Sequence, residues 1–181
     1  GDKAANYFYD IMRLGTSESA QIYCTHNGFE PFELSRYFRV LKNSRMIMVS
    51  RDPRDIYVNI VEGNKVKSGF YRKIDPNHYN ICAASDIQKF IQYQKKLLSF
   101  EVAFEHPKLL RIQFEEFIGN YDHVADIIRD FLGISSSNQV DKFKYFNPSE
   151  SEKNVGIYKK SKFQKEIQMI ESELQDFYDF D

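Results

Sequence analysis

The stretch MIMVSRDPRDIYVN, residues 46–59, constrains the fold more than any other part of the chain. A run of apolar residues within 45–50 leads directly into Arg51, Asp52, Pro53, Arg54 and Asp55, after which apolar residues return at helical spacing. A short, continuous apolar run is the pattern of a strand covered on both faces, and such strands occur inside parallel sheets flanked by helices. Asp52 is a good N-cap, Pro53 suits the first helical position and Asp55 favours the first turn. A helix is therefore expected over 53–62, with Ile56 and Ile60 on one face. A buried strand running straight into a helix is the building unit of an α/β fold, in which crossovers are right-handed. Ligands in such folds bind beyond the carboxyl ends of the strands, which is where Arg51 falls.

The rest of the chain continues that alternation. Phe8, Ile11 and Met12 predict a short helix stopped by Gly15, and 20–25 predicts a strand ending at His26. A short helix is expected over Leu34, Tyr37, Phe38 and Leu41, a long one over 86–105, and a strand over 108–114. Val124, Ile127, Ile128, Phe131 and Leu132 give a regular helix over 121–132, closed by Gly133. SSSNQ, 135–139, is a linker, and 162–178 is helical. The glycine- and asparagine-bearing stretch 63–85 reads as an excursion without firm structure, a candidate substrate lid.

Composition narrows the class. With 181 residues, 42% of them hydrophobic, the chain suits a single domain, 1–181, with a sizeable core. A net charge of −1 supplies no global field toward nucleic acid or membrane, so neither is an expected partner. No apolar run approaches the roughly 18 residues of a membrane span, and no signal peptide is visible. Cys24 and Cys82 form no CxxC or metal-ligand spacing; their number allows one disulfide, but a chain this long does not need one, and the expectation is free buried thiols in a reducing, cytoplasmic compartment. No cluster of residues supports a metal site.

The helix-start reading leaves Arg51 over. A cation between a buried strand and a helix N-terminus is electrostatically misplaced unless an anion shares the site. Two arrangements satisfy it. A guanidinium beside exposed helix amides grips a phosphate bidentately, with Asn59 two turns on as a further donor. Alternatively, Arg51 forms a structural ion pair with Asp52 or Asp55.

At this point RMIMVSRDPRDIYVN resembles the 3′-phosphate-binding segment of sulfotransferases that use 3′-phosphoadenosine-5′-phosphosulfate (PAPS). Arg51 falls on that family's arginine, and Asn59 stands where it has a serine. The stretch 109–134 is similar to the family's strand, Tyr-Glu-Asp-Leu-like turn and helix ending in Phe-Leu-Gly, with Glu115 at the glutamate of the turn. KNVGIYKK, 153–160, resembles the C-terminal loop that folds over the nucleotide; Gly156, Tyr158 and Lys159 match its glycine, aromatic and basic residues. YCTHN, 23–27, resembles the Lys-Thr-His segment that carries the catalytic histidine. DKAANYF, 2–8, is the only candidate for the 5′-phosphosulfate loop: Lys3, Asn6 and Phe8 match, while Ala4 and Ala5 replace its serine and glycine.

The resemblance implies a three-layer fold with a mainly parallel central sheet flanked by helices, like that of P-loop nucleoside-triphosphate hydrolases. It implies transfer of a sulfuryl group from PAPS to a hydroxyl or amine, with adenosine 3′,5′-bisphosphate as the other product and no metal. His26 is then the general base and Lys3 neutralises the bridging oxygen, against the plain alternatives of a locally bonded histidine and an exposed terminal lysine. The nucleotide would be held by Lys3, Ala5, Asn6, Tyr7, Arg51, Asn59, Lys153, Asn154, Gly156 and Tyr158, with 150–162 as the covering loop. The basic and aromatic residues of 63–85 suit a small-molecule or carbohydrate acceptor as well as an ordinary solvated loop. His78, His106 and His123 read as structural. The competing classes are a non-catalytic nucleotide-binding relative and a small-molecule kinase. The second lacks its GxxxxGK[ST] motif in this sequence.

Overall fold

In the computed structural model, the described residues are 2–14, 22–25, 32, 34–62, 86–136, 141–144 and 146–180. They fall into two compact units, Gly1–Arg45 and Met46–Asp181.

The first unit contains two helices, α1 (Asp2–Leu14) and α2 (Leu34–Val40). Leu34 and Phe38, one turn apart on α2, are buried together with Leu41. Two expectations fail in this unit. Residues 2–8 are helical rather than a phosphate-binding loop. Ala4 and Ala5 favour helix, whereas the glycine they replace would favour a loop. Ile22–Thr25 carry no strand, and Ile22 and Cys24 are exposed. A strand is defined by pairing, and among the described residues none pairs here. Cys24 is thus a free thiol but not a buried one. His26, Cys82 and the 63–85 excursion lie outside the described residues.

The second unit is α/β. Strands β1 (Met46–Ser50) and β2 (Leu109–Gln113) pair in parallel, in the register Met46↔Leu109 to Ser50↔Gln113. Helices α3 (Pro53–Glu62) and α4 (Ile87–Ala103) lie between them in sequence, as a parallel crossover requires. After β2 come α5 (Phe114–Gly119), α6 (Tyr121–Leu132), α7 (Pro148–Ser151), two 3₁₀ turns at Glu152–Asn154 and Ile157–Lys160, and α8 (Gln164–Leu174).

Gly133 ends α6 as expected, in the left-handed region at φ 69°, and Asp86 caps α4 through the amides of Gln88 and Lys89. The core is built by α3, α4 and α8: Tyr57 and Val58 meet Phe90, Ile91 and Leu98, and Ile167, Ile170 and Leu174 close it. Tyr57 sets its ring edge-on to Phe90 and Phe163. β1 is less enclosed than its composition predicts, with Val49 54% exposed. The described sheet has two strands, so β1 has only one described strand neighbour. No described helix is long and apolar enough to cross a membrane.

Candidate active site

The charged turn after β1 resolves into three separate tasks. Asp52 caps α3, its Oδ1 accepting the Arg54 amide at 2.8 Å, while its own amide donates to Glu115 Oε1 at 3.0 Å. Glu115 stands in the first turn of α5, placed there by the β1–β2 pairing. The helix amides expected to await an external anion are therefore partly occupied by the protein's own carboxylates. This is a correction to the sequence reading, and it follows from the unfavourable energy of unpaired buried donors.

Arg54, at the second position of α3, turns back over its own cap. Its Nε lies 3.0 and 3.1 Å from the two Asp52 oxygens, and its Nη2 lies 2.7 Å from Oδ2. Nη1 donates to Glu171 Oε1 on α8 at 2.7 Å. The guanidinium lies 3.8 Å from the Tyr158 ring centroid and 4.6 Å from that of Phe180. Burial alone would lower the Arg54 pKa, but the hydrogen bonds to Asp52 and Glu171 outweigh it and raise it further, so the group stays charged. The phenols of Tyr158 and Tyr178 are pushed up, chiefly by burial, and remain neutral.

Asp55 faces the other way, toward the loop after α7. Its Oδ2 accepts the Gly156 amide at 2.7 Å and its Oδ1 the Tyr158 amide at 3.1 Å. Gly156 adopts φ 70°, ψ 21°, a left-handed conformation that glycine takes without the Cβ penalty. Burial raises the Asp55 pKa against the opposing pull of these two amides.

Arg51 is left between these groups. Its Nη2 donates to the Asn154 carbonyl and lies 3.9 Å from Asp55 Oδ2, and the guanidinium covers the Phe114 ring at 5.0 Å. Its Nε is buried and finds no hydrogen-bond partner among the described residues. Of the two carboxylates expected as ion-pair partners, Asp52 is engaged by Arg54, whereas Asp55 pairs with Arg51 at 3.9 Å while also accepting the two loop amides. An orphaned N–H on a delocalised cation is a donor suited to an oxyanion.

The structure thus brings Arg51, Asn154, Gly156 and Tyr158 together around the start of α3. Half-buried Asn59 sits two turns along the same helix, and Lys153 is exposed. The remaining sequence candidates belong to the first unit. Lys3 and Asn6 are exposed on α1, Ala5 is buried, and Tyr7 is 69% exposed. A helix starting at Asp2 commits its amides from Ala5 onward to the helical ladder, so the amides of 5–8 are not a free phosphate cradle. His106 accepts the Lys108 amide through Nδ1 at 3.2 Å, a local structural bond, and His123 is exposed on α6. No group of carboxylates, histidines and cysteines that could hold a metal occurs among the described residues. A pocket opens at Arg54, lined by Glu171, Ser172, Gln175, Tyr178, Asp179 and Phe180, but it includes none of the residues around Arg51.

Sequence reasoning missed the roles of Arg54, Asp55 and Glu171. The sequence marked Asp55 as a first-turn acid and a possible ion-pair partner of Arg51, but carried no signal for its bonds to the Gly156 and Tyr158 amides.

A family model described as "Sulfotransferase domain" matches residues 5–177. A solved structure titled "Sulfotransferase Domain from the Curacin Biosynthetic Pathway" is similar at 19% identity, with 84% of this chain and 60% of that chain covered and a TM-score of 0.49. The chain therefore spans less than two thirds of that structure's length. No curated protein matches it. The family match runs through β1, the Arg51 turn, Glu115, the Gly156 loop and α8, and on it the chain belongs to the sulfotransferase domain family.

Proposed function

We propose that the chain transfers a sulfuryl group from PAPS to a hydroxyl or amine of a small-molecule or carbohydrate acceptor, on a three-layer fold of the P-loop type. One observation carries this reading. Two segments 103 residues apart, both assigned to the nucleotide by resemblance, meet where Arg51 donates to Asn154, and they leave a buried guanidinium N–H without a partner among the described residues. The family match spans both compact units, which supports their acting as one domain.

PAPS supplies the sulfuryl group and leaves as adenosine 3′,5′-bisphosphate. Arg51 binds the 3′-phosphate through its fixed fork of donors, with Asn59 donating from the next turns of α3. The loop at Lys153, Asn154, Gly156 and Tyr158 encloses the nucleotide and excludes water. Sulfuryl transfer resembles phosphoryl transfer, so positioning and electrostatic stabilisation dominate. His26 takes the acceptor proton, which suits the pKa of imidazole. Lys3 neutralises charge on the bridging oxygen as the bond to sulfur breaks. A 63–85 lid would carry the acceptor contacts.

Adenosine 3′,5′-bisphosphate at millimolar concentration should raise the melting temperature, since a ligand of the folded state alone stabilises it by mass action. Arg51→Ala should remove that shift. His26→Ala should keep it and remove transfer of radiolabelled sulfate. Absence of any shift in the wild type would sink the reading.

A second reading, a nucleotide-binding relative without transfer activity, is favoured by one observation: the helical conformation of residues 2–8, with Ala5 where the family has glycine. Bisphosphate binding with no transfer across a broad acceptor screen would select it. Stabilisation by magnesium–ATP exceeding that by the bisphosphate would point to a kinase instead.

A further inference from the structure

We propose that Asp55 is a positioning residue for the nucleotide loop, holding 153–160 in its closing shape while touching neither nucleotide nor acceptor. The inference rests on the nucleotide-binding reading given above and assigns a role to a side chain that reading leaves unused.

Asp55 is 1% exposed and stands in the first turn of α3. A carboxylate that is both buried and close to an anion site is disfavoured twice over, by desolvation and by repulsion of the ligand. Its presence needs a compensating role, and the geometry supplies one. Gly156 at φ 70° turns neighbouring amides to one side of the chain, making a concavity of the kind that binds anions. Here the anion is Asp55, which receives the Gly156 and Tyr158 amides on separate oxygens. Its Oδ2 also lies 3.9 Å from Arg51 Nη2, and Arg51 in turn holds the Asn154 carbonyl. One side chain therefore fixes the loop backbone on both sides of Gly156 against the helix that carries Arg51.

The far end of the loop has its own ties. Ser161 donates to Glu62 at 2.6 Å, and Gln164 Nε2 donates to the Tyr158 and Ser161 carbonyls at 3.0 and 2.7 Å. Loss of Asp55 should therefore free Gly156–Tyr158 without detaching α8.

The test uses the full chain as wild type, Asp55→Asn and Gly156→Ala. Hydrogen exchange at the Gly156 and Tyr158 amides, measured without nucleotide, should be about tenfold faster in Asp55→Asn, while β1 and β2 amides keep their protection. Calorimetric affinity for adenosine 3′,5′-bisphosphate should fall about tenfold. Where transfer is measurable, KM for PAPS should rise by more than kcat falls. Gly156→Ala has room for its methyl, with the nearest atoms Lys159 Cδ and Cε at 3.8 Å. It strains only the backbone and should lower affinity in the same direction. Unchanged exchange in Asp55→Asn would overturn the tether, and faster exchange with equal or tighter affinity would overturn the positioning role. Should Asp55→Asn fail to fold, undiminished affinity in Gly156→Ala overturns the proposal on its own. A wild type that does not bind the bisphosphate overturns the nucleotide reading, and the loop's role in it, whatever the exchange data show.

Discussion

Replacing Arg54 by methionine isolates the charge of that residue, because methionine keeps most of the stem that packs under Tyr158 and Phe180. The guanidinium makes four polar contacts of 2.7–3.1 Å, three to Asp52 and one to Glu171. The contact to Glu171 counts for little, since that carboxylate is 38% exposed, and pairs open to water contribute about 0–1 kcal/mol. Stacking on two rings adds about 0.5–2 kcal/mol, part of which the methionine sulfur retains. The largest loss comes from Asp52, left buried with its countercharge removed, which costs about 3–5 kcal/mol in comparable broken pairs. The Arg54 amide still donates to Asp52, which places the expectation near the lower end, about 3 kcal/mol. Urea unfolding followed by circular dichroism should show a lower midpoint with an unchanged slope. Adding Asp52→Asn should recover part of the loss, giving a coupling energy of about 1 kcal/mol or more. A loss below about 1 kcal/mol, or a cycle with no coupling, would refute the view that a buried ion pair anchors the start of α3.

Three further outcomes follow from the same geometry. Ile170→Ala on α8, at a fully buried position, should cost about 2–5 kcal/mol in urea unfolding and more than any single substitution on the exposed face of α6. Gly133→Ala should cost about 1 kcal/mol from the left-handed backbone at φ 69° alone, since nothing lies within 4 Å of the added methyl; a neutral result would show that the cap relaxes. Because burial raises the folded Asp55 pKa above its usual 3.8, the folded state holds a proton that the unfolded chain releases first. The stability contributed by Asp55 is therefore complete below pH 3.8 and declines as pH rises through the folded value. The stability difference between wild type and Asp55→Asn should shrink over that window, and a difference that grows would reverse the assigned cause.

What the sequence revealed divides along a physical line between local and distant determinants. The start of α3 was legible because a cap residue and a proline act within one turn, and the end of α6 because glycine at a C-cap acts on its own backbone. The strand expected over 20–25 is absent from 22–25, its described part, because strand formation depends on a partner elsewhere in the chain, which alternation within six residues cannot report. Residues 2–8 were read through a resemblance that requires glycine, whereas Ala4 and Ala5 already carried the opposite local preference. The site divides in the same way. Arg51 stood out because a cation at a helix start is locally anomalous. Its neighbour Arg54 drew no reading of its own, since one of the partners that let it be buried sits on α8, 117 residues away. Asp55 satisfied every local criterion for a first-turn acid, so nothing in its neighbourhood indicated that it serves amides 101 and 103 residues further on. The four charges of the turn are thus not interchangeable. Asp52 and Arg54 neutralise each other and Asp55 is committed to the loop, which leaves Arg51 as the member whose buried Nε–H lacks a partner among the described residues.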